Sequence, residues 1–357
     1  MKNCFASALL LTAFTAVTST LSVGAARDVG APGQRGCALN SLQEFIECMR
    51  SSHSRERSHQ RSWVTAPARE TLLYASEPFS GEVSISSVDS KGLRAVGNLA
   101  FNSFLPIGVA VDASQNLYVS LVPLAGQQGA VDVFPRGATK PSKVYTKGLT
   151  QAEYVTVDSQ GTVYVANFSD SSGGCSVVEY AKHSMKPTAV ITGIPGCIDG
   201  LTVDSSENLY VTYVAYPNSG GVQSDVLKFT PGSKNGVALN LKAPGGNLFW
   251  GVAIDAKNDV VVMNDQEIGT VNQILVFPSG STKPKQTVQY GLGWYPEEFA
   301  LWGNHLFAPA FMVNELPPGV VPSGEPAEFD FPSGRELLVE SPKLLNPGYY
   351  FGYAVSP

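Results

Sequence analysis

Three acidic residues carry the chemistry that this chain suggests: Glu153, Asp199 and Glu297, with the aromatics Trp250 and Phe351 at corresponding places. Glu153, Asp199 and Trp250 each stand five residues ahead of an aspartate (Asp158, Asp204, Asp255) that opens a short polar turn. Glu297 stands five ahead of Trp302 in a line of the same plan, and Ile107 five ahead of Asp112. Carboxylates gathered in one place repel, so one of them keeps its proton or a cation is shared among them. A hard divalent cation such as calcium takes oxygen ligands of this kind from acids, backbone carbonyls and water. That makes Asp199, Glu153 and Glu297 the candidate metal set, with Glu298 adjacent. Trp250 and Phe351, with Trp294 and Tyr295 near them, suit instead a platform for a sugar ring or another flat ligand. A third arrangement has the aromatics filling a channel and the acids solvated at its rim.

Other chemistries lack their residues. The four histidines, His53, His59, His183 and His305, have no pair at ligand spacing, which argues against a histidine-rich zinc site. No G-x-S-x-G elbow, phosphate-binding loop or strand-linked G-x-G-x-x-G occurs. No assembled set for serine–histidine–aspartate catalysis is present. A formal net charge of −6 gives no basic footprint for nucleic acid.

What must position the acids is a repeat. The lines "PIGVAVDASQNLYVS", "AEYVTVDSQGTVYVA", "IDGLTVDSSENLYVT" and "FWGVAIDAKNDVVVM" share one plan: an alternating apolar strand, an aspartate, a polar turn and a second alternating strand. Their aspartates, Asp112, Asp158, Asp204 and Asp255, are 46, 46 and 51 residues apart. Each aspartate before a tight turn bonds its own backbone two residues on, a structural role. The second half of each unit recurs as well, in "GAVDVFPRGATKPSKVYTKGL", "CSVVEYAKHSMKPTAVITGI" and "NQILVFPSGSTKPKQTVQYGL". A period of 40–50 residues with four strands is the mark of propeller blades, and 43% hydrophobic residues with 15% charged, 35 Gly and 24 Pro suit short strands and tight turns.

The two ends complement each other. "LLYASEPFSGEVSISSVDSKGLRAVGNL" supplies three strands without a first, and "YYFGYAVSP" supplies a first strand with nothing after it. Joining them closes a ring and removes exposed sheet edges. First strands near 106, 152, 198, 249, 296 and 349 predict an all-β, six-bladed propeller over residues 70–357, closed by the C-terminal strand. The five-before-aspartate register then falls at the mouth of the central channel, where loops surround a concavity.

Residues 1–26 read as a secretory signal: Lys2, an apolar run from Phe5 to Val17, and Gly24-Ala25-Ala26 at the cleavage end. Thr12, Thr15, Thr18, Ser19 and Thr20 interrupt the run, which argues against a membrane anchor. The mature chain is then expected outside the cytoplasm, extracellular or periplasmic, with no membrane span. Residues 27–69 form an extension with a short helix in "CALNSLQEFIEC" and a basic run holding Arg50, Arg55, Arg57 and Arg61, a solvated linker or a contact for an acidic surface. Beyond Cys4 four cysteines remain, and proximity in sequence favours disulfides Cys37–Cys48 and Cys175–Cys197 over the other pairings.

With the "GVAVDASQNLYVS", "GLTVDSSENLYVT" and "GVAIDAKNDVVVM" lines in view, the chain resembles the NHL-repeat six-bladed propellers and, more loosely, the regucalcin/gluconolactonase group. The second resemblance implies a divalent metal at the channel mouth held by Glu, Asn and Asp of first strands. Asp199-Gly200-Leu201 matches that group's Asp-Gly-Leu. Glu153-Tyr154-Val155 stands in place of its Asn-Gly-Leu, and Phe351-Gly352-Tyr353 in place of its Glu-Gly-Pro, which loses one ligand. Clean blades without a complete catalytic set make the expected function a binding or scaffold module, a monomer whose mouth face takes a small-molecule, protein or carbohydrate ligand. The alternative is a metal-dependent hydrolase or lactonase using Asp199, Glu153 and Glu297.

Overall fold

In the computed structural model, residues 63–65, 70–78, 80–89, 92–124, 128–169, 174–217, 220–265, 272–289, 298–311, 324–331, 335–339 and 352–356 are described. Among them every regular element is a strand, and the strands form six antiparallel sheets, the blades of a six-bladed propeller. The second blade runs Phe104–Val111, Leu117–Pro123, Ala130–Phe134 and Lys143–Tyr145. The third runs Gln151–Val157, Val163–Ser169, Gly174–Tyr180 and Ala189–Ile191, and the fourth Cys197–Val203, Leu209–Ala215, Gln223–Phe229 and Val237–Ala238. The fifth runs Phe249–Ile254, Val260–Asp265, Asn272–Phe277 and Gln286–Gln289, and the sixth Ala300–Trp302, His305–Phe311, Gly324–Asp330 and Arg335–Val339.

The first blade is assembled from both ends, as the repeat requires. Tyr353–Ser356 pairs antiparallel with Thr71–Glu77, in the register Leu72↔Ser356 and Ala75↔Tyr353, and Glu82–Asp89 and Gly92–Ala100 follow. The Ser76 N–H also donates to the Gly352 carbonyl (3.0 Å). Arg136, from the second blade, reaches across to the Ser356 hydroxyl (3.0 Å) and to the Glu70 carbonyl. One strand was not foreseen: Trp63–Val64 adds to the outer edge of this blade, against Gly97 and Asn98. It covers an edge that would otherwise be open to strand addition. The expected helix at 37–48, the signal segment and the Cys37–Cys48 pair lie outside the described residues.

The core lies between blades. Tyr118, Val131 and Tyr145 of the second blade pack with Val155, Val163, Val178 and Tyr180 of the third. Tyr210 and Val226 of the fourth meet Phe249, Val260 and Phe277 of the fifth. Each sheet is therefore covered on both faces, which explains the nearly continuous apolar runs "LYVSLV" and "VVVM" in the second strands. The repeat aspartates do what the sequence assigned to them. The Asp204 carboxylate accepts the N–H groups of Ser206 (2.8 Å) and Asn208 (2.9 Å) and the Tyr210 hydroxyl (3.0 Å). Asp112 and Asp255 hold their turns in the same manner.

Candidate functional site

At the register five residues ahead of the repeat aspartates the inner strands share an irregularity that the sequence did not announce. Pairing of the first with the second strand slips between Pro106 and Val109 in the second blade and between Val165 and Asn167, opposite Glu153 and Tyr154, in the third. It slips between Ile198 and Gly200 in the fourth and between Phe249 and Val252 in the fifth. Ile107, Glu153, Asp199 and Trp250 thus sit in a ring of β-bulges. A bulge bends its strand and re-aims the side chain it carries. The shared register is a property of the backbone as well as of the alphabet.

The glycines after Ile107, Asp199 and Phe351, namely Gly108, Gly200 and Gly352, are held against the neighbouring blade. A Cβ on Gly108 would lie 2.8 Å from the Tyr154 Cα and 2.9 Å from the Glu153 carbonyl oxygen. One on Gly352 would lie 2.5 Å from the Ile107 oxygen and 3.0 Å from the Gly108 Cα, and one on Gly200 3.1 Å from the Gly251 Cα. Neighbouring inner strands approach backbone to backbone, and glycine is what permits it. Gly108 and Gly352 are therefore demanded by packing, whereas Gly200 of Asp199-Gly200 is only favoured by it, its nearest contacts being 3.1 Å.

Hydroxyls of the second strands complete the arrangement. The Ser120 hydroxyl accepts the Gly108 N–H (2.8 Å) and donates to the Glu153 carbonyl of the next blade (2.6 Å). Ser76 accepts the Gly352 N–H (2.8 Å) and donates to the Ile107 carbonyl, and Thr212 donates to the Trp250 carbonyl. Where the equivalent residue is Ala166 or Met263, the asparagine after it takes over. The Asn167 side-chain oxygen accepts the Thr150 N–H (2.7 Å), and that of Asn264 the Leu248 N–H (2.9 Å). Each anchors the chain just ahead of its inner strand. These positioning residues were missed from sequence. Their signal was present: "LYVS" and "LYVT" alternate with "VYVAN" and "VVVMN" in consecutive repeats.

The acids are buried. Glu153 is 4% exposed and Asp199 0%, beside Trp250 at 2% and Ile107 at 3%. They are not solvated at a rim. Cys175, on the third strand of the third blade, reports their proximity. Its thiol is pushed up to about 12, first by burial, then by the Glu153 and Asp199 carboxylates, against a hydrogen bond with the Ile198 backbone. At neutral pH it stays protonated, and a protonated thiol is a poor nucleophile. The expected Cys175–Cys197 disulfide is not formed. Cys197 is disulfide-bonded, but Cys175 retains its thiol, and the partner of Cys197 lies outside the described residues. The two cysteines do share one buried cluster, and Cys175 bonds the Ile198 backbone beside Cys197, so nearness was right in space; the pairing differs because Cys197 is bonded to another sulfur.

Glu153, Asp199 and Trp250 are thus brought to one register, whereas Glu297 and Phe351 lie outside the described residues. Glu298 is half-buried beside them in sequence. Among the described residues no group of three or more His, Cys, Asp or Glu is arranged to hold a metal ion. Glu153 and Asp199 by themselves do not make a cation's cage, so no chemical step is assigned to a metal here.

Comparison with known proteins bears on the fold alone. No family model and no curated protein matches the sequence. Among solved structures the chain is similar to hydrazine synthase of Kuenenia stuttgartiensis, at 16% identity and a TM-score of 0.52, over 70% of this chain and 80% of that one. It is similar also to a protein from Lactobacillus plantarum, at 12% identity and a TM-score of 0.52, over 81% and 99% of the two chains. A functionally unknown protein from Desulfotomaculum acetoxidans gives 13% identity and a TM-score of 0.52, over 80% and 98%. At these identities what is shared is the arrangement of strands, and the chain is a β-propeller of six blades.

Proposed function

We propose that this chain is a secreted, NHL-like propeller that acts as a binding or scaffold module through its channel-mouth face. One observation carries the reading. Four inner strands bulge at the same register, and the Ser76, Ser120 and Thr212 hydroxyls tie that register to the next blade's backbone, so a rigid ring holds chemically different residues at matching places. Rigid placement of varied side chains serves recognition, because the ordering cost is met on folding and not on binding. Glu153, Asp199 and Trp250 are 0–4% exposed, so they would back a ligand site from beneath, as buried carboxyls and an indole, and a small polar or sugar-like ligand suits that pairing.

The test is purification of the full chain from its source followed by native mass spectrometry of bound species. A retained species that is lost in Asp199→Asn and in Trp250→Phe supports the mouth as its site. Retention in both variants would place binding elsewhere and end this reading. A metal-dependent hydrolase of the gluconolactonase type is the second reading, favoured by the convergence of Glu153 and Asp199 on the Cys175 thiol. It requires a thermal shift with calcium, magnesium, manganese or zinc that Asp199→Asn removes; no shift with any of the four would leave it without support.

A further inference from the structure

We propose that the outer rim of the second to fifth blades binds a carboxylated polysaccharide, a chain of uronic acids, through lysines that recur in each blade. The rim consists of the turn from third to fourth strand, the outermost strand, and the run into the next blade: residues 135–150, 181–196, 230–248 and 278–289. These four segments hold ten of the chain's 24 Lys and Arg residues and no Asp or Glu, whereas the rest of the run from the fifth blade to the sixth, beyond 289, carries Glu297 and Glu298. In a chain of net charge −6, the rim has the opposite sign to the whole. Lys140, Lys147, Lys182, Lys186, Lys234 and Lys283 are all exposed. Lys285 is drawn to the Asp259 carboxylate, Lys143 to the Tyr145 hydroxyl and Arg136 to the Glu70 carbonyl and Ser356 hydroxyl, and the Glu179 carboxylate lies in the field of Lys234.

A second observation lies on the same rim. Of the exposed large apolar residues, Val144 (40%), Val190 (40%) and Val237 (68%) each sit on the outermost strand of their blade, and Met185 (40%) in the turn beside one. The rim therefore alternates ammonium groups with small apolar contacts. A polyuronate alternates in the same way, with a carboxylate on every ring and C–H faces between.

The rim fits other polyanions less well. A flat anionic bilayer would meet the whole face, and the inner part of that face carries the turn carboxylates of Asp112, Asp158, Asp204 and Asp255, which repel it. Single-stranded nucleic acid calls for stacking surfaces, and the exposed large hydrophobics of the described residues include no aromatic; duplex DNA, which binds through its phosphates, is left to the experiment. An acidic peptide adding as a strand needs a longer edge than these outermost strands of two to four residues, and lysine on an edge opposes such pairing. Lysine also acts as a mobile point charge and not as a bidentate fork, which suits a flexible polymer whose carboxylates have no fixed register.

The experiment measures binding of the full chain to fluorescent oligogalacturonate by anisotropy at low and at high salt. Neutral dextran, vesicles containing phosphatidylserine, and duplex DNA are run in parallel. Binding to oligogalacturonate, strong at low salt and lost at high salt, is expected because exposed charges are screened. Each of Lys140→Gln, Lys186→Gln, Lys234→Gln and Lys283→Gln lowers the affinity about two- to fivefold, as one exposed ion pair does, and the fourfold variant about 50-fold. The side chains are exposed, so the melting temperature stays within about 2 °C, and the single variants decide the matter if the fourfold one does not fold. Asp199→Asn, at the mouth, leaves this binding unchanged, which separates it from the mouth reading. Affinity no better than for dextran, affinity undiminished in the lysine variants, loss in Asp199→Asn, or tighter binding to vesicles or DNA would each overturn the proposal.

Discussion

Replacing Gly108 by alanine tests the claim that inner strands meet backbone to backbone. The added methyl would lie 2.8 Å from the Tyr154 Cα and 2.9 Å from the Glu153 carbonyl oxygen, with the Ser120 hydroxyl at 3.1 Å. Two of these three atoms belong to backbone and cannot rotate away, so the second or third blade must shift. Inserting a methyl into a packed interior costs about 1–3 kcal/mol, and backbone contacts this short place Gly108→Ala at the upper end. Alanine also narrows the unfolded ensemble, which favours folding by about 0.4–1 kcal/mol. The net loss is about 2 kcal/mol. For a chain of this size that corresponds to a fall of roughly 5 °C in Tm, with the urea midpoint falling at an unchanged slope. Gly352→Ala, 2.5 Å from the Ile107 oxygen, should cost at least as much, and Gly200→Ala, with nothing nearer than 3.1 Å, less. A Gly108→Ala protein melting within 1 °C of the parent, or a reversed order between Gly200 and Gly352, would refute the close-approach argument.

Two further predictions follow from local chemistry. The third residue after each repeat aspartate adopts a left-handed conformation (Gln115 φ 62, Gly161 φ 85, Glu207 φ 63, Asn258 φ 61). Glu207→Gly should therefore stabilise by about 0.5 kcal/mol and Gly161→Ala destabilise by about 1 kcal/mol, read from paired thermal melts. Burial raises the Asp132 carboxyl from 3.8 to about 6. A raised folded pKa contributes stability that is complete below the unfolded value and lost as pH rises through about 6. Asp132→Asn should accordingly stabilise by about 1 kcal/mol at pH 7.5, a figure discounted because the side chain is part-solvated, and the gain should vanish near pH 4. Parallel pH-dependent melts that stay offset by the same amount at both ends would contradict it.

Much of the ring was legible because repeats declare themselves. Asp112, Asp158, Asp204 and Asp255 set the blade spacing, and the incomplete ends at Leu72 and Tyr353 implied the closing strand that pairs Ala75 with Tyr353. The register shared by Ile107, Glu153, Asp199 and Trp250 was also legible, since five residues ahead of the aspartate is a local count. The bulges at that register were not, because a bulge exists only relative to a partner strand and depends on which residue of Leu117–Pro123 or Val163–Ser169 lies opposite. The cysteine pairing failed because proximity does not choose between available sulfurs: Cys175 lies near Cys197, yet Cys197 is bonded to another cysteine.

Local pattern alone, then, determined the all-β class, the blade count, the turn aspartates and the common register of Glu153 and Asp199, because alternation and turn chemistry act over a few residues. Tertiary structure alone decided that Glu153 and Asp199 are buried and share the surroundings of Cys175, and that Ser76, Ser120 and Thr212 bridge from blade to blade. It alone gathered the lysines of four separate turns onto one rim. Those outcomes rest on contacts between residues tens of positions apart, and no local pattern in the chain encodes the distance between them.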